Sequence, residues 1–104
     1  MNSNFSFIQQ CDPGLAGLFK PAREAEEQVY RAPRLSALMS RIALEEAVRW
    51  IYDHDADIDL PYQDNLSALM FEQSFRDNLP PSLDDKIHYI RKLGNQAAHQ
   101  KGTP

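Results

Sequence analysis

The stretch that most restricts the fold is Leu35 to Tyr52, LSALMSRIALEEAVRWIY. It contains no Gly or Pro and is rich in Leu, Ala, Met and Glu, so its helix propensity is high. At about 100° per residue, Leu35, Leu38, Met39, Ile42, Ala43 and Trp50 cover one broad side, and Leu44, Ala47, Val48 and Ile51 cover much of the other. A helix that is apolar around most of its circumference is expected to be buried around most of it. Arg41, Glu45, Glu46 and Arg49 near its centre make it unsuitable as a membrane span. The stretch therefore predicts the central helix of a small all-α bundle. Arg34, Arg41, Glu45 and Arg49 project within roughly 80° of one another as a polar stripe, with Arg41 and Glu45 spaced to pair at i, i+4.

The 104 residues suffice for one domain, 1–104, and not for two. With 42% hydrophobic and 25% charged residues, the composition is that of an ordinary globular protein. A formal net charge of −4 argues against a domain that grips nucleic acid by bulk electrostatics. The single cysteine, Cys11, excludes an internal disulfide and a multi-thiolate metal site, and fits a reducing compartment. The opening MNSNFSFIQQ has no basic n-region and no long apolar run, so the expectation is a cytoplasmic chain that does not contact a membrane.

Along the chain, Phe5, Phe7 and Ile8 are expected to pack as an arm across the bundle. Asp12-Pro13 reads as a helix start. Pro21 predicts either a kinked helix or a break between two helices, and Ala22, Ala25 and Val29 form the inner side of the helical segment from Ala22 to Tyr30. Pro33 is placed to begin the central helix. After it, Asp53, Asp55, Asp57 and Asp59 lack the Gly and closing Glu of an EF-hand and read as a solvated exit. Asn65 is expected to cap a short helix through Met70, and FEQSFRDN forms a second short turn. Ser82, with Asp85, reads as the cap of a last helix over about 82–99. Its buried face is predicted to be Leu83, Ile87, Ile90, Gly94, Ala97 and Ala98. Arg91, Asn95 and His99 form a polar stripe beside this Gly-Ala seam. The expectation is a scaffold in which Arg41, Glu45, Asn95 and His99 interlock, with Glu45 accepting from Asn95 or His99. Arg31, Arg34, Arg49, Lys92 and Lys101 are candidates for a basic edge touching nucleic-acid phosphates. His54, His88 and His99 would need a tertiary coincidence to bind a metal, so no metal site is expected.

Three stretches together carry a resemblance: NFSFI at residues 4–8, R-x-x-L-E at Arg41 to Glu45, and I-R-x-x-G-N-x-A-A-H at Ile90 to His99. NLSALM and LPPSLDDKI lie between them in the expected places. In these the chain resembles the HEPN-like domain found at the N-terminus of type I restriction enzyme R subunits and related helicase proteins. The resemblance implies a compact four- to five-helix bundle around helices near 34–54 and 82–99, at the front of a longer chain. It implies other domains or subunits of a restriction-modification complex as partners, and DNA only through the parent protein; a homodimer stays open. ATP and Mg are implied for the parent's translocase and nuclease alone, since no phosphate-loop motif is present here. An alternative within the same resemblance is a stand-alone ribonuclease or toxin component. The catalytic pattern of that superfamily is Arg, then four to six residues, then His, often with Asn directly after the Arg. Asn95 and His99 match, but Gly94 stands where the arginine would be, and seven residues separate Arg91 from His99. Arg91, Asn95 and His99 are thus the candidates for a proton-transfer and phosphate-steadying site, in a pattern that departs from the catalytic one.

Overall fold

The computed structural model describes residues 16–99. The expectations for Phe5, Phe7, Ile8, Cys11, Asp12-Pro13 and Lys101 fall outside these residues. The described chain is all-α, 76% helix without a strand. Its five helices are α1 (Ala16–Gln28), α2 (Pro33–His54), α3 (Leu66–Phe71), α4 (Gln73–Arg76) and α5 (Pro81–His99). α2 is the spine: α1 and α5 both pack along it, and α3 touches it near its C-terminal half.

Pro21 lies inside α1, which runs through it as one helix. The ring removes the N–H that would bond the Gly17 carbonyl, a loss the first turns of a helix tolerate. Ala22 and Ala25 are buried against α2 as expected, whereas Val29 falls past the helix end and is exposed. Ser36 of α2 donates from Oγ to the Ala25 carbonyl at 2.7 Å, so the hydroxyl buried in this small-residue interface is satisfied.

α2 is buried on one side, not around most of its circumference. Val48 is 2% exposed, and Leu44, Ile51 and Tyr52 pack around it, while Ile42 on the opposite side is 46% exposed and Leu35 is open as well. The reason is architectural. α1 and α5 flank α2 and leave a gap between them, and the short α3 and α4 cover only its C-terminal half.

The core gathers at that half, where Val48, Leu66, Leu69, Met70, Phe75 and Ile87 meet. Ile58, buried between the exposed aspartates of the loop after α2, pins that loop to the core. Asp55 Oδ1 accepts from the Asp57 N–H at 3.0 Å, so one of these carboxylates shapes its own turn. Asn65 caps α3 as expected, its side chain accepting from the Ala68 N–H at 2.8 Å. Glu72 performs the same service for α4 through Ser74. The Tyr52 hydroxyl donates to the Leu69 carbonyl at 2.7 Å and ties α2 to α3.

α5 starts at Pro81, so Ser82 sits inside the helix and does not cap it. A proline in the first turn needs no N–H, and the pair Pro80-Pro81 sets the start. Its inward face is Asp84, Ile87, Gly94 and Ala97; Leu83 and Ala98, expected there, are exposed.

Candidate functional site

Two of the three stretches that carry the resemblance, those of Arg41 and Gly94, meet in the structure. Gly94 lies directly against Arg41, and a Cβ built on Gly94 would collide with the Arg41 Cβ, with Arg41 Cδ at 2.9 Å and the Ala37 carbonyl oxygen at 3.1 Å. α2 and α5 come this close because residue 94 has no side chain. The expected interlocking of polar groups along this seam is not what the described residues show. Glu45 pairs with Arg49 at 2.9 Å one turn along α2, and Arg49 continues to Asp64 at 2.7 Å, fastening the loop before α3. Both carboxylates hold the Arg49 guanidinium further above its ordinary value. Asn95 is half-buried and His99 exposed. Among the described residues the His99 side chain forms no hydrogen bond or ion pair, with Arg91 or any other group. An i, i+4 partner on the same helix reaches Glu45 with no tertiary adjustment, and the exposed rim of α5 supplies nothing that competes with it.

The candidate basic edge is likewise dispersed. Arg34 donates from Nε to the Ala97 carbonyl at 2.8 Å, closing a terminal carbonyl of α5. Arg49 is committed to Glu45 and Asp64. These two arginines stand fifteen residues apart on α2, about 22 Å along the axis at 1.5 Å per residue, so they form no single edge. Arg31 and Lys92 are exposed.

Two concave features bear on function. The first is an apolar groove of about 460 Å³ along α2, bounded by Leu18 and Ala25 of α1, Ala43 and Leu44 of α2, and Ile90 of α5. A smaller hollow of about 240 Å³ shares Val29, Ser36, Ser40 and Ile90 with it and extends to Leu93, so the two are continuous. Together they occupy the gap that α1 and α5 leave along α2. Few polar atoms interrupt its walls.

The second is a mixed pocket of about 330 Å³ where the α3–α4 corner meets α5, lined among others by Phe71, Arg76, Asp84, His88, Tyr89 and Lys92. Asp84 is only 9% exposed. Its Oδ2 takes the Arg76 guanidinium at 3.2 Å, while Oδ1 stands 3.4 Å from His88 Nε2, too poorly aligned for a hydrogen bond. Both ring nitrogens of His88 and the Nε of Arg91 are buried without a hydrogen-bond partner among the described groups. The Phe71 ring gathers the rest, with the His88 ring centroid at 4.5 Å and the Arg76 and Arg91 guanidinium carbons at 5.9 and 5.7 Å from its centre. Burial holds the His88 imidazole below its ordinary pKa; Asp84 opposes that shift, and Arg91, Arg76 and Lys92 reinforce it.

In the sequence His88 stands isolated, with no metal or catalytic partner at a telling distance. The signal that points to its cluster is the spacing of Asp84, His88 and Arg91 on one helical face. The contribution of Phe71 and Arg76 comes only from the tertiary fold.

No helix among the described residues is long and apolar enough to cross a membrane. Comparison with known proteins finds no match to a family model, to a curated protein or to a solved structure.

Proposed function

We propose that this chain is a non-catalytic helical module of the R subunit of a type I restriction-modification enzyme, a cytoplasmic protein, in which it holds other domains or subunits in place. The observation that carries the reading is the open apolar groove between α1 and α5 along α2. An exposed trough with such apolar walls costs free energy that a packed neighbour recovers at roughly 25 cal/mol per Å². Two further features support it. Arg41 and Gly94, from separate stretches of the family pattern, abut each other, so these residues serve helix packing. His99, the residue a nuclease of this kind would use, is exposed, and among the described residues its side chain forms no hydrogen bond or ion pair with an arginine.

The DNA cleavage and ATP-driven translocation of such an enzyme belong to other domains of the parent. The test is co-purification of the tagged chain with the separately expressed remainder of an R subunit, comparing wild type with Ala43→Glu. Ala43 lines the groove and is only half-buried, so the glutamate places a charge in the trough without entering the core. Loss of capture with an unchanged far-UV circular dichroism spectrum is expected. Capture that Ala43→Glu leaves intact, or RNA cleavage that His99→Ala abolishes, would overturn the reading.

A further inference from the structure

We infer that in the free chain the apolar groove along α2 is covered by the chain's own residues 4–8, NFSFI, with Phe5 and Phe7 seated between α1 and α5. A domain or subunit that docks in the groove then has to displace this arm, so the arm regulates the docking. The regulatory consequence rests on the proposed function; the covering of the groove does not.

The groove asks for an uncharged, apolar occupant. Leu18, Ala22, Ala25, Ala43, Leu44 and Ile90 line it. Where it continues toward Leu93, the rim adds Val29 and Leu93, both exposed. A continuous apolar surface of this kind marks a place where something packs. Two segments of the chain lie outside the described helices, residues 1–15 and 100–104. The second, QKGTP, has no large apolar side chain. The first has Phe5, Phe7 and Ile8 within residues 2–11, a run without a charged side chain. Its entry into the groove therefore buries no ion.

Spacing and reach agree with this occupant. An extended run sets Phe5 and Phe7 on one face, about 6.6 Å apart, and Ser6 on the other. Both rings can then enter the trough while Ser6 faces water. The groove is open along its outer side, so the backbone of the arm keeps its hydrogen bonds to solvent. Phe5 precedes Ala16 by eleven residues, a reach of up to about 36 Å at about 3.3 Å per residue. Ala25, on the groove wall, stands nine residues along α1 from Ala16, only about 14 Å. The arm can fold back over α1 with chain to spare. Tethering also selects it over the same segment of a second copy. A short tether sets a local concentration of millimolar order, about a hundredfold above that of a second copy in a solution at about 10 μM.

The test uses the full 104-residue chain with the photoreactive residue p-benzoylphenylalanine in place of Phe7, which keeps an aromatic ring there. After irradiation, adducts are mapped by tandem mass spectrometry. Adducts within one chain are expected on Ala43, Leu44 or Ile90, and Ala43→Glu should suppress them. Adducts on Leu35 or Ile42 of the opposite, exposed side of α2, adducts confined to cross-linked dimers, or none at all would overturn the inference. A second measurement needs no photochemistry. Phe5→Ser combined with Phe7→Ser should raise the fluorescence of the apolar dye ANS several-fold with an unchanged far-UV circular dichroism spectrum; unchanged dye binding would also count against the inference. The same double variant tests the regulation through capture of the separately expressed remainder of an R subunit. An arm closed in about nine chains of ten lowers apparent affinity about tenfold, so the double variant should bind about tenfold more tightly. Equal capture refutes the regulation. Loss of all capture with groove adducts intact refutes the proposed function and leaves the covered groove standing.

Discussion

Replacing Gly94 by alanine tests the closest approach between α2 and α5. On an isolated helix the change is stabilising, by about 0.8–1.0 kcal/mol, because alanine loses less backbone entropy on folding. Here the new methyl would fall on the Arg41 Cβ, with Arg41 Cδ at 2.9 Å and the Ala37 carbonyl oxygen at 3.1 Å. The Cβ and the carbonyl are anchored to the α2 backbone, so no side-chain rotation clears them. The two helices must separate, loosening Ala97 and Ile87 beside the contact. Overpacking of this kind costs about 1–3 kcal/mol, and an obstacle fixed to the backbone belongs at the upper end. The net loss is then about 2 kcal/mol after the propensity gain, and at about 4–8 °C per kcal/mol the melting temperature falls by about 8–16 °C. Gly17→Ala is the internal control. Its Cβ would meet only Glu46 Oε2 at 3.5 Å, an ordinary contact, so the same substitution should leave stability equal or raise it by up to about 1 kcal/mol. Urea and thermal unfolding of the two variants, followed by circular dichroism, read the difference. A Gly94→Ala protein as stable as the wild type would refute the argument that residue 94 sets the α2–α5 distance.

Phe75 is 1% exposed at the centre of the core, and Phe75→Ala should cost about 3–5 kcal/mol, lowering the urea midpoint severely in a domain of this size. Asn65→Ala removes the oxygen that accepts from the Ala68 N–H and should cost about 1 kcal/mol, visible as a smaller shift of the same midpoint. For His88, burial holds the folded-state pKa below the unfolded value of 6.5, against Asp84 and with Arg91, Arg76 and Lys92. The unfolded chain therefore takes up the proton first, so this group's effect is absent well above pH 6.5 and destabilises the fold progressively as pH drops below it. Unfolding free energies measured from about pH 8 to about pH 5 should decline less steeply in His88→Gln than in wild type; equal slopes would contradict that assignment.

The long helices were legible in the sequence because two signals agreed along them: uninterrupted propensity and apolar spacing at the helical period. Pro33 and Asn65 marked starts through local chemistry alone, and the structure places both as read. What the pattern could not supply was which apolar side faces the interior. Ile42 and Val48 look alike to a helical projection, yet one is outside and the other at the centre, because the short helices cover only one half of α2. Partner choice failed for a similar reason. The sequence offers Glu45 a partner in Arg41 or, across the seam, in Asn95 or His99, whereas the structure pairs it with Arg49, a local partner that needs no tertiary accuracy to form. The Phe71–His88–Arg76 cluster brings together residues from three helices, so no window along the chain contains it.

The arrangement of helices around α2 has a consequence for how the domain comes apart. The large side chains Phe75, Leu69, Met70 and Val48 are concentrated at one end, whereas α1 is held to α2 through alanines and the Ser36 hydroxyl at the other. Releasing α1 therefore leaves this cluster of large side chains, to which α1 contributes none, assembled. Amide protons of Ala22 to Gln28 should exchange with solvent through a partial opening of low free energy, well before those of Val48 or Ile87, which wait for the whole domain to unfold.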